Sequence, residues 1–139
     1  MSDVISVRFP SRVAARLRAL SKDLGEPVSA MAARLVEEGL RLEGHPGIIF
    51  RPGPTGRRAA LLRGPDVWEV IDVLRSIDAR GDEAVAQTAR WLNLTEAEVR
   101  VAVRYCAEFP DEIDERIEAN YLATEHARAA WEAEQRLLA

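Results

Sequence analysis

The sequence predicts a mainly α protein: an N-terminal strand–helix–helix unit, a short β-hairpin, and a helical domain ending in a long helix. Three observations carry that prediction. The alternating stretch Val4-Ile5-Ser6-Val7-Arg8-Phe9 precedes two segments with apolar residues at helical spacing. Two short extended runs flank a Pro/Gly-rich loop between residues 45 and 64. From Pro65 onward apolar residues recur every three or four positions, and after Pro110 no Gly or Pro interrupts the chain. The expected segments are 1–44, 45–110 and 111–139.

In the first strand Ile5, Val7 and Phe9 share one face; Val4, Ser6 and Arg8 share the other. Pro10-Ser11 ends the strand, with Ser11 expected as helix N-cap. Val13, Leu17, Leu20 and Leu24 stripe the first helix, and Gly25-Glu26-Pro27 breaks it. Ser29 is expected to cap a second helix whose inner face is Ala32, Leu35, Val36 and Leu40, closed by Glu43-Gly44. No nearby segment can pair with the strand, and an unpaired strand leaves its backbone groups unsatisfied. So small a unit also struggles to bury a core alone. Both difficulties vanish if two chains pair their strands antiparallel and interlock their helices.

His45-Pro46-Gly47 starts the next segment, with His45 expected to make a turn hydrogen bond rather than bind a metal. Ile48–Arg51 and Arg57–Leu62 then read as a hairpin around Pro52-Gly53-Pro54-Thr55-Gly56. Arg51, Arg57, Arg58 and Arg63 give it positive charge. They fit either a wing that touches phosphate or a hairpin capping the next domain with its arginines solvated.

Pro65-Asp66 opens a helix with Val67, Trp68, Val70, Ile71 and Leu74 as its apolar face, broken at Ala79-Arg80-Gly81. Val85, Ala89 and Leu92 mark the following helix, and Thr95 with Glu98 forms a capping box for another, striped by Val99, Ala102, Val103 and Cys106. Small Ala89, turn-forming Asn93, then Val99 and Ala102 is a helix-turn-helix spacing. Its second helix begins Thr95-Glu96-Ala97-Glu98, and carboxylates there repel phosphate, although Arg100 and Arg104 lie further along. A compact scaffold or a dimer surface fits that charge better than a DNA reader. Cys106 is expected to be a small buried residue.

Beyond Pro110, Ile113, Ile117 and Tyr121 fall on one stripe with Leu122 beside it, and Trp131 and Leu138 continue the apolar side. Asp111, Glu112, Asp114, Glu115 and Glu118 crowd the first turns, which suits the helix dipole better than a metal site. The apolar side needs cover, from the protein itself or from a partner.

Composition limits the function classes. One cysteine among 139 residues excludes a disulfide framework and any multi-cysteine zinc site. His45 and His126 are far apart, and there is no Gly-rich phosphate loop, nucleophile–base pair or metal-ligand spacing. The expectation is therefore no enzyme, no cofactor and no metal. With no apolar run of membrane length and no signal-peptide pattern, a soluble cytoplasmic protein is expected. The net charge of −4 divides into +5 over residues 1–64 and −9 over 65–139, which points to two different partners, the first polyanionic.

ISVRFP, the first helix, the Gly-Glu-Pro-Val-Ser turn and the second helix resemble the ribbon-helix-helix repressors of the Arc/MetJ/CopG type over about a third of the chain. The resemblance implies a dimeric ribbon in the DNA major groove. Val4, Ser6 and Arg8 would then be the base-facing residues, with Ser29 and Ala30 anchoring a phosphate at the second helix. Val4 departs from the polar residue often found on such ribbons. HPGIIFRPGPTGRRAALLRGPDVWEVIDVLR with LTEAEVRVAVRYCAEFPDEID resembles the helix-turn-helix domain of unknown function found in some VapB-type antitoxins, with GRRAAL and GPDVWEV the most specific pieces. Together the two resemblances cover nearly the whole chain. They imply an antitoxin of a type II toxin–antitoxin system: a homodimer or higher homo-oligomer that binds operator DNA as its own repressor and neutralises a PIN-type ribonuclease toxin. The C-terminal helix would meet the toxin through Ile113, Arg116, Ile117, Tyr121, Arg128 and Trp131. Surface pairs such as Glu112 with Arg116 or Glu132 with Arg136 are the simpler role for those arginines. On this reading a chain ending before Pro110 is expected to bind DNA and lose neutralisation. The alternative is a stand-alone dimeric transcriptional regulator whose C-terminal domain oligomerises or binds a ligand.

Overall fold

The computed structural model describes residues 1–139. It is mainly helical, with six helices and one two-stranded antiparallel sheet. The helices are α1 (Ser11–Leu24), α2 (Val28–Gly44), α3 (Val67–Ser76), α4 (Gly81–Leu92), α5 (Glu96–Glu108) and α6 (Pro110–Leu138); the strands are β1 (Ile48–Arg51) and β2 (Arg58–Leu61). The chain divides into two compact units, Met1–Gly44 and His45–Ala139.

In the first unit residues 1–10 form no regular element and are exposed. Within one chain the 4–9 segment meets no strand; the hairpin strands pair with each other, and β2 also bridges to Asp66 through Ala60. Alanine, leucine and arginine, all strong helix formers, fill α1. Ser11 is its first helical residue, not its cap. Pro10 stands at the cap position, and its carbonyl accepts the N–H groups of Val13 (2.9 Å) and Ala14 (3.0 Å). Likewise Ser29 lies inside the first turn of α2, where the Pro27 carbonyl accepts the Met31 N–H at 3.0 Å. In both cases a proline with fixed φ presents the starting carbonyl one or two residues earlier than the serines predict. Gly25, left-handed at φ 67°, ends α1 with its N–H on the Ser21 carbonyl. The Ser21 hydroxyl donates to the Glu26 carbonyl, and Arg34 pairs with Glu26 (3.4 Å) and Glu38 (3.7 Å), fixing the α1–α2 turn.

The second unit has a conventional core. Helix α3 packs against α4, α5 and α6, and α5 also packs against α4, α6 and β2. Ile48, Leu61, Val67, Val70, Ile71, Val85, Ala89, Val99, Ala102, Tyr105 and Ile113 form one buried cluster. Small Ala59 and Ala60 on β2 are buried, and Ala59 lies opposite Phe50 in the ladder. Asp66 stands at the α3 N-cap, and its N–H donates to Glu69 Oε1 at 3.3 Å. Its own carboxylate accepts from Arg58 Nε and from Trp68 Nε1 (3.2 Å), so hairpin and helix share one buried anion. Gly53 permits this arrangement: a Cβ there would sit 1.7 Å from the Arg58 guanidinium.

The turn between α4 and α5 follows the spacing rule. Asn93 is left-handed (φ 55°, ψ 46°), with its N–H on the Ala89 and Arg90 carbonyls. Thr95 Oγ1 accepts the Glu98 N–H at 3.1 Å while the Glu98 carboxylate accepts the Thr95 N–H at 3.2 Å. Helix α6 has 29 residues, about 43 Å at 1.5 Å per residue. Only its first two turns join the core, through buried Ile113 and half-buried Ile117.

Candidate functional site

The arm ahead of α1 presents the residues expected to read DNA. Val4 is 95% exposed, and Ser6 and Arg8 are also exposed. Their alternate face is uncovered too: Ile5 and Val7 face solvent, and Phe9 is 45% exposed. Phe9 lies at the lip of an apolar groove of about 630 Å³ along α1 and α2. Val13, Leu17, Leu20, Leu35 and Val36 line it, with Arg16 and Asp23 as charged rim. The face expected to be the inside of α2 is thus solvent-facing in a single chain, with Val36 58% and Leu40 69% exposed. Met31 is the one fully buried apolar side chain among residues 1–44.

Ser29 and Ala30 are exposed in the first turn of α2. With Val28 they precede the first i→i−4 bond, made by Met31, so their N–H groups have no intrahelical acceptor. The arm residues and this turn belong to the same unit.

The hairpin arginines have a different role from either expectation. Arg51 donates to the carbonyls of Gly64 (2.9 Å) and Leu61 (3.0 Å), Arg57 to Phe50 O (3.3 Å), and Arg58 to Asp66. Arg51 and Arg58 staple the hairpin to the turn before α3 and Arg57 ties the hairpin to its own first strand, so these three are not merely solvated. Arg63 stays exposed and pairs with Glu98 at 3.4 Å. This relocates the basic excess of the front half. Residues 1–44 hold seven Lys/Arg against six Asp/Glu, and the other four cations of residues 1–64 belong to the hairpin.

Carboxylates dominate the start of α5. The Thr95 backbone N–H, then its hydroxyl and the nearby Arg63 charge, hold the Glu98 carboxyl below the usual glutamate range. Arg100, one of the two cations that could offset those acids, is bound to Asp82 at 2.7 Å, which raises its pKa further. Burial pushes the Cys106 thiol up, as a small core residue on the α5 stripe requires.

The six residues expected to meet a toxin separate into two groups. Ile113 is core, 2% exposed, and Ile117 packs against the same cluster. Arg116 reaches the hairpin loop, donating to Thr55 Oγ1 (2.6 Å), Thr55 O (3.2 Å) and Arg57 O (3.0 Å). Its suggested partner Glu112 instead accepts the Tyr105 hydroxyl at 2.7 Å. Tyr121 (64% exposed) and Trp131 (60%) lie on the free length of α6, where Arg128 pairs with Glu132 at 3.0 Å.

Sequence reasoning missed two partly buried polar links. The His45 side chain makes no turn bond: Nε2 lies 2.6 Å from Glu108 Oε2, and the ring is edge-on to Tyr105 and Phe109. Only its backbone carbonyl serves the turn, accepting from Ile48 N–H at 3.2 Å. Tyr105 is fully buried beside Phe50 and Phe109. Its position three after Ala102 on the α5 stripe is the signal that could have found it; His45–Glu108, 63 residues apart, has none. No three His, Cys, Asp or Glu side chains converge as metal ligands, and no helix is long and apolar enough to cross a membrane. Comparison with protein-family models, curated proteins and solved structures gave no match.

Proposed function

We propose that this chain is a type II antitoxin: a homodimer that represses through operator DNA and neutralises a PIN-type ribonuclease with its C-terminal helix. One observation carries the dimeric, DNA-binding half. Residues 1–44 expose an unpaired arm and both helix faces around an apolar groove, with Met31 alone fully buried. Ordering backbone costs roughly 1–2 kcal/mol per residue, and burying one methionine returns only about 1.5–3 kcal/mol. Such a unit has the character of half a fold. In a pair, Ile5, Val7 and Phe9 turn inward over the grooves and Val4, Ser6 and Arg8 turn outward. Arg8 then meets guanine, Ser6 a base-edge donor or acceptor, and Val4 a thymine methyl. Ser29 and Ala30 supply backbone N–H groups to a flanking phosphate.

The toxin-binding half is supported by the antitoxin resemblance and by the uncovered length of α6 beyond Ile117. Ile113, Arg116 and Ile117 drop out of the proposed contact set because the protein uses them itself; Tyr121, Arg128 and Trp131 remain. The same uncovered length is what a stand-alone regulator that oligomerises through α6 would show.

The test is co-expression with the adjacent open reading frame, reading growth and complex formation. A chain ending at Ile117 is the informative truncation, since ending before Pro110 would remove core residue Ile113. The expected result is a folded protein that binds operator DNA and no longer neutralises. Full neutralisation by that truncation would take the length of α6 beyond Ile117 out of toxin binding and leave it structural; no partner at all favours the plain regulator. Arg8→Ala is expected to weaken operator binding by roughly 1–3 kcal/mol in gel-shift titration while leaving toxin binding unchanged.

A further inference from the structure

We infer that the outer face of α1 is a sequence-independent phosphate-binding surface for duplex DNA, separate from the base-reading arm; this rests on the DNA-binding reading above. Charge is segregated inside the first unit. Residues 1–24 carry Arg8, Arg12, Arg16, Arg18 and Lys22 against Asp3 and Asp23; residues 25–44 carry Glu26, Glu37, Glu38 and Glu43 against Arg34 and Arg41. Both α2 arginines are consumed locally, Arg34 by Glu26 and Glu38, and Arg41 by Glu37 at 2.9 Å. The five cations of residues 8–22 are exposed, and none forms an ion pair or a side-chain hydrogen bond.

At 100° per residue, Arg18 and Lys22 fall on the side of α1 opposite Val13, Leu17, Leu20 and Leu24, while exposed Arg12 lies on the flank toward the groove edge, where Arg16 and Asp23 sit. The apolar side of α1 faces the groove with α2, so an anionic bilayer would meet only the charged side, without the apolar insertion that holds interfacial helices. A rigid row of phosphates suits such a surface better. Arginine and lysine without competing carboxylates lose little on meeting phosphate, and each contact releases a condensed counterion. These contacts set register and general affinity and carry no base information.

The experiment measures binding of the full-length protein to a labelled 30-base-pair random-sequence duplex between 50 and 200 mM KCl. Arg12→Gln/Arg18→Gln/Lys22→Gln is expected to flatten the plot of log affinity against log salt by about 3 units, roughly 0.9 per cation. The salt-driven loss of affinity across that range then shrinks about 40-fold. Preference for operator over random duplex is expected to stay as in the wild type, whereas Arg8→Ala lowers that preference and leaves most of the slope. An unchanged slope in a triple variant with wild-type circular dichroism overturns the inference and leaves the DNA reading standing. A wild-type protein that binds no duplex at 50 mM KCl overturns both. Tighter binding to a 30-nucleotide RNA or to phosphatidylserine vesicles than to duplex also overturns it, by assigning the surface to another polyanion.

Discussion

Asn93 shows how much one residue decides. Its left-handed backbone lets α4 stop and α5 start within three residues, with Leu94 N–H returning to Ala89 O at 2.8 Å. Asparagine tolerates that conformation; a β-branched residue does not. Asn93→Val is therefore expected to cost about 1–2 kcal/mol in urea unfolding, and Asn93→Gly to hold or raise the midpoint. Equal midpoints for the two would mean that the turn relaxes elsewhere. Asn93, the Thr95–Glu98 box and the Val99–Ala102 seat were legible because each is a local pattern of a few residues. His45 on Glu108, Tyr105 on Glu112 and Arg116 on Thr55 were not, because each joins groups that only the packed core brings together. The same distinction explains the arginines. A basic cluster in sequence says nothing of acceptors, and at Arg51, Arg57 and Arg58 those acceptors are mostly backbone carbonyls that no side-chain pattern reports.

Among the elements, α5 starts on a titrating group that the fold holds below its ordinary range. Glu98 accepts from the Thr95 N–H and hydroxyl, and Arg63 lies 3.4 Å away. Because these partners hold the folded-state carboxyl below its unfolded value, its contribution is complete above the ordinary glutamate range of about 4.3 and disappears as pH falls through the lowered value. Glu98→Gln is expected to be less stable than the wild type at neutral pH and to lose less between pH 5 and 3, as read by thermal melts across that range. A wild-type-like acid limb in the variant would assign the acid sensitivity to other carboxylates. Helix α6 is two elements in one. Its first turns were expected to face a partner and instead complete the core, because Ile113 follows a proline-started turn that places it beside Tyr105 and Val70 in one cluster. Periodicity predicts an apolar stripe equally well for either outcome, so it could not separate Ile113 from Trp131.

For the whole molecule, the two units differ in how completely one chain can build them. The second has a continuous core; the first leaves Val13, Leu20, Leu35, Val36 and Leu40 exposed. If a second copy covers that surface, folding of residues 1–44 is linked to association and its stability must rise with protein concentration, while that of residues 45–139 need not. Two unfolding transitions are expected, with only the lower one shifting upward between about 1 and 100 μM. Light scattering is expected to give twice the chain mass of 15.5 kDa. Val36→Glu places a carboxylate in the groove lining and is expected to yield a monomer that loses the lower transition and duplex binding together. Leu122→Glu, on the free length of α6, is expected to change neither. A wild-type protein that stays monomeric at 100 μM with duplex binding intact would leave the arm without its pairing strand, and the ribbon could not be the DNA-reading element.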